Sequence, residues 1–62
     1  VDNNFLITYS YENNEGMTDF GYSWYESEES MIEDVDFKRG FLKDFEIQDA
    51  MEILGVRNID LK

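Results

Sequence analysis

The chain has 62 residues with no cysteine, histidine or proline, and its 15 acidic against 5 basic residues give a formal net charge of −10. Such a composition excludes disulfide staples, thiolate nucleophiles, imidazole bases and the usual zinc or haem ligand sets. The length allows one domain, residues 1–62, that hides about 60% of the surface of its extended chain.

From Phe5 to Tyr11 the residues alternate, with Phe5, Ile7, Tyr9 and Tyr11 on one side and Leu6, Thr8 and Ser10 on the other. That period of two predicts a strand. A second alternation sets Phe20, Tyr22 and Trp24 against Gly21, Ser23 and Tyr25. Between the two runs, Glu12-Asn13-Asn14-Glu15-Gly16 supplies Asn and Gly where positive φ costs little, so an antiparallel hairpin is expected. Gly21 marks a bulge or a place where another side chain lies across bare backbone.

Ser27 is expected as a helix N-cap, with Glu28 and Glu29 in the first turn complementing the exposed amide groups. Met31, Ile32 and Val35 form its apolar stripe, and Lys38, Arg39 and Gly40 mark its end. A second helix is expected from Asp44 as cap, with Ile47, Ala50, Met51 and Leu54 at helical spacing and Gly55 as terminator. Phe37, Phe41, Leu42 and Phe45 bridge the segments, either within one bent helix or in a connector. Val56 to Leu61 alternates again and fits a short strand returning to the sheet. The expected fold is therefore α+β in the order β-β-α-α-β, a three-stranded sheet with helices packed on one face. Phe5, Ile7, Tyr9, Tyr22 and Trp24 are assigned to its core, where Trp24→Ala would cost about 3–5 kcal/mol.

The first 37 residues hold ten acids and no Lys or Arg, whereas the last 25 hold five of each sign. Nine carboxylates fall between Glu12 and Asp36: Glu12, Glu15, Asp19, Glu26, Glu28, Glu29, Glu33, Asp34 and Asp36. A one-signed field of this kind attracts basic protein surfaces and repels nucleic acid and anionic membranes. Sheet aromatics are able to stack bases, but phosphate contact depends on cations that the hairpin lacks, so direct nucleic-acid binding is not expected.

Paired acids such as Glu28–Glu29 or Asp34–Asp36 point in different directions and lack convergent partners, so neither catalysis nor a cofactor is expected. In the calcium-loop template, placing Gly16 at the sixth position puts Tyr11 at the first, where a carboxylate is required, and no metal site is expected. No apolar run has the length of a membrane span or signal-peptide core, so a soluble chain is expected, and the lack of cysteine is compatible with a cytoplasmic protein.

Two functions from different classes fit these features. In the first, the nine acids form a continuous surface mimicking a nucleic-acid backbone and occupy the basic groove of a DNA- or RNA-handling protein. Tyr11, Tyr25 or Phe20 would then serve as apolar anchors. Small acidic inhibitors encoded by phages share this size and charge, a likeness that rests on no motif. In the second, an adaptor or structural module binds a protein partner or a copy of itself through an aromatic patch or sheet edge.

Overall fold

The structure is a computed structural model that describes residues 3–61. Strands β1 (Phe5–Glu12) and β2 (Thr18–Tyr25) are followed by helix α1 (Glu28–Phe41), strand β3 (Lys43–Glu52) and a short strand β4 (Arg57–Asn58). The strands form one antiparallel sheet in the order β2-β1-β3-β4, and α1 packs on one side of it. The α+β class and the N-terminal hairpin are as expected. Among the described residues, the sheet has four strands instead of three, and the helical layer is one helix instead of two.

The hairpin turns over Asn13–Met17, with Gly16 at φ 79° supplying the left-handed residue. The Asn13 side-chain oxygen accepts from the Glu15 and Met17 amides at 2.9 and 3.0 Å, and this local bonding fixes the turn. Pairing then runs without a register shift from Glu12↔Thr18 to Phe5↔Tyr25. An odd connection pairs odd residues with odd, so Gly21, Ser23 and Tyr25 share a side with Phe5, Ile7 and Tyr9.

That side meets the helix. Phe5, Ile7, Met31, Val35 and Ala50 form the buried core, with Tyr9, Tyr25, Phe45, Ile47, Ile59 and Leu61 packed around it. Tyr22 and Trp24, expected in this core, lie on the opposite side. Gly21 is the position where a side chain crosses bare backbone: a Cβ there would meet the Tyr9 ring at 2.7 Å.

The second predicted helix, from Asp44 to Gly55, is the strand β3 and its following turn. Phe45 and Ile47 alternate toward α1, and a register shift opposite Thr8 and Tyr9 then leaves Gln48 as an extra residue before Ala50 faces inward. This bulge converts strand spacing into an interval of three, which imitates a helical stripe. Asp44, assigned as a cap, instead has φ 52° at the entrance to the strand.

In α1, Ser27 is the N-cap as expected, its side-chain oxygen accepting from the Ser30 amide at 3.1 Å. The helix runs through Gly40 to Phe41 and is capped by Leu42, whose amide donates to the Lys38 carbonyl at 2.7 Å. At the other end of the sheet, Asn4 ties the pieces together. Its amide donates to the Tyr25 carbonyl at 3.0 Å, and its side-chain oxygen accepts from the Leu54 amide at 2.7 Å.

The turn between β3 and β4 places Val56, and not the adjacent Gly55, in the left-handed region at φ 48°. A β-branched residue is strained there, and Val56 is 91% exposed, so no packing compensates. Val56→Asn is expected to stabilise the fold by about 1 kcal/mol. Chemical denaturation of both proteins checks this, and an unchanged or lower midpoint for the variant contradicts it.

Candidate functional site

Because Gly21, Ser23 and Tyr25 face the helix, the alternate residues of β2 face outward on a side of the sheet that no element covers among the described residues. Phe20 is 74% exposed, Tyr22 69% and Trp24 45%. Their opposite neighbours on β1 are Ser10, Thr8 and Leu6, and Leu6 in turn faces Met51 on β3. The three rings thus form a stripe along the outer strand, continued inward by two half-buried aliphatic side chains. Ser10 is buried beneath this surface and accepts a 3.0 Å hydrogen bond from the Gln48 side chain. A shallow concavity of ≈ 350 Å³ is lined by Thr8, Tyr9, Phe20, Gly21, Tyr22 and Gln48.

A second exposed aromatic pair sits on α1. Phe37 and Phe41 stack with centroids 5.7 Å apart and planes at 17°. At 100° per residue they share a flank of the helix with Ser30 and Asp34. Asp34 fixes where this flank lies, because it accepts a hydrogen bond from the Tyr25 hydroxyl of β2. The opposite flank faces β3 and β4: the Arg39 guanidinium lies 5.8 Å from the Phe45 ring centre, and Arg57 pairs with Glu28 at 3.3 Å. Phe37 and Phe41 therefore stand on the β2 side of the helix.

The nine acids occupy three places. Glu12, Glu15 and Asp19 lie at the hairpin-turn end, while Glu26, Glu28 and Glu29 lie at the other end, about 25 Å away along an eight-residue strand. Glu33, Asp34 and Asp36 follow along α1, where Glu29, Glu33 and Asp36 share its outer stripe. Three acids are matched by cations: Glu12 by Lys43 at 2.7 Å, Glu28 by Arg57 and Asp34 by Lys38. Among the described residues, Glu15, Asp19, Glu26, Glu29, Glu33 and Asp36 have no ion pair.

The two tyrosines expected as exposed anchors are half-buried. Tyr11 lies 6.0 Å from Tyr9, ring centre to ring centre, and lines an open concavity between the hairpin turn and the end of α1. Tyr25 packs against the core, and both its hydroxyl and the Lys38 ammonium donate to Asp34 Oδ2. Burial, reinforced by the bond to Asp34, raises the Tyr25 hydroxyl well above the ordinary tyrosine value. Burial pushes the Asp34 carboxyl upward, but Lys38 and Tyr25 outweigh it and hold it below its usual value.

Among the described residues, no group of three or more acids is placed to hold a metal ion, and no helix is long and apolar enough to cross a membrane. Compared with protein-family models, curated proteins and solved structures, the chain matches none.

Two outcomes follow from these electrostatics. Asp34 is depressed on folding, so its contribution is full above about pH 4 and is lost as pH falls through the folded value; Tyr25 is raised, so its contribution is full below about pH 10 and is lost as pH rises beyond. Tyr25→Phe should cost about 1 kcal/mol in urea melts at neutral pH. The gap from wild type should narrow at both extremes, and a gap that is constant with pH contradicts the coupling. Separately, the unmatched carboxylates repel one another, so adding salt should raise the melting temperature more than in an evenly charged domain. A melting temperature that stays flat from low to moderate salt contradicts this.

Proposed function

We propose that this chain is a small acidic protein-binding module whose contact surface is the uncovered aromatic side of its sheet. The stripe Phe20, Tyr22 and Trp24 carries this proposal. Side chains of this class bring about 150–250 Å² each, so the three together present on the order of 400 Å² of exposed area. An exposed apolar patch of that size falls in the range of the largest patch on a typical monomer, which is often a functional surface. Aromatic rings are also the side chains that most often carry binding energy at an interface centre. The surrounding acids steer a basic partner toward the stripe and repel unsuitable ones.

A nucleic-acid mimic is the second reading, favoured by the row Glu29, Glu33 and Asp36 on the outer stripe of α1, none of which is ion-paired among the described residues. Binding by such a row is lost as salt rises and is competed by DNA, whereas the affinity that the aromatic stripe supplies persists at salt that screens the acids.

The test is affinity capture from the native host, followed by titration of the captured partner against wild type and Trp24→Ala. The variant should fold with a loss of about 1 kcal/mol, since it removes a half-exposed side chain, and should bind more than tenfold more weakly. A folded variant that binds undiminished overturns the aromatic-face proposal. If duplex DNA displaces the partner and moderate salt releases it, mimicry is favoured instead.

A further inference from the structure

The sheet has two long edges among the described residues: β2, and the part of β3 before Met51, because the two-residue β4 pairs only with Met51 and Glu52. The β3 edge carries Lys43 and is broken by the bulge at Gln48, which leaves β2 as the regular one. Natural sheets protect such edges with lysine, proline, a bulge or a covering element. The β2 sequence Thr-Asp-Phe-Gly-Tyr-Ser-Trp-Tyr contains neither lysine nor proline, and its pairing with β1 shows no register shift. Its outward-pointing amide and carbonyl groups therefore form a regular, unprotected template eight residues long.

Both sides of that template are apolar. On the open side stand Phe20, Tyr22 and Trp24, and on the helix side the stacked Phe37 and Phe41 occupy the flank of α1 directed toward β2. A strand added along β2 would place alternate side chains beside each set. The local field selects their charge, since the first 37 residues carry ten acids and no cation, with Asp19 and Glu26 near the two ends of the edge. The chain's own cations already use its aromatics in this manner: Lys38 lies 5.7 Å from the Tyr9 ring centre and Arg39 5.8 Å from that of Phe45. A second copy fits this edge less well, because it brings the same unneutralised acids against themselves.

Resting on the protein-binding function proposed above, we propose that β2 accepts an extended segment of a basic partner as a fifth strand. Arginine or lysine side chains of that segment lie over Phe20, Tyr22 and Trp24, and its alternate apolar side chains lie against Phe37 and Phe41. Backbone pairing supplies the alignment, and the alternating side chains supply the selectivity.

The probe is a synthetic ten-residue peptide of alternating arginine and valine, titrated into the full chain and followed by amide NMR and hydrogen exchange. Exchange of the β2 amides that point away from β1 should slow at least tenfold, and the resonances of Phe20, Tyr22, Trp24, Phe37 and Phe41 should shift. The same peptide N-methylated at every residue keeps its charge but can donate no backbone hydrogen bond to β2, and should bind at least tenfold more weakly. Equal binding by the methylated peptide reduces the contact to charge attraction and overturns strand addition. Protection of the β2 amides that appears without peptide and grows with protein concentration identifies a second copy as the occupant, and also overturns it. If neither peptide binds while Trp24→Ala still loses the captured partner, strand addition fails and the aromatic-face function stands.

Discussion

The odd-numbered connection between β1 and β2 sets which side of the second strand meets the helix. With Glu12 opposite Thr18, every pair in the hairpin joins residues of the same parity, and a change of one residue in the turn would reverse the assignment. The observed parity puts Gly21 and Ser23 under the helix layer, where the Tyr9 ring crosses Gly21 and packs at 5.3 Å, centre to centre, against Phe45. It also sends three large rings to the side without a covering element. The folded core is correspondingly small, with Ile7 and Met31 as its only fully buried large side chains among the described residues.

Charge is distributed around this two-sided sheet in a consistent way. The cations of α1, β3 and β4 stay near the covered side and the sheet ends, where Lys38 pairs with the Asp34 carboxylate that also accepts from Tyr25, Lys43 holds Glu12, and Arg57 bridges Glu28 and Glu52. None of these pairs involves the aromatic stripe. The stripe is left as an apolar strip in a negative field, the combination on which the proposal of a basic partner rests.

Much of the architecture was legible in the residues. Alternation at Phe5–Tyr11 and Phe20–Tyr25, the turn built on Asn13 and Gly16, and the Ser27 cap each reflect short-range chemistry that tertiary context did not override. The missing strand has a specific physical origin: the bulge at Gln48 stretches the interval between Ile47 and Ala50 to three residues, so a half-buried strand reads as a helix. Lys38-Arg39-Gly40 marked the helix end slightly early because Leu42 supplies the cap. The candidate surface was harder to see. Hydrophobicity alone assigns Tyr22 and Trp24 to the core, and only the parity of the hairpin, a long-range consequence of turn geometry, reverses that. Phe20, by contrast, is exposed, whereas Tyr25 shares the parity of Gly21 and Ser23 and turns toward the helix, where its hydroxyl donates to Asp34.

The orientation of the single tryptophan tests this parity most directly, and NOESY spectra of the dilute folded chain report it through the indole protons of Trp24. The account predicts cross-peaks from the indole to Leu6 on the adjoining strand and none to Met31 or Val35. Cross-peaks to Met31 and Val35 would place the ring beneath the helix and contradict the account.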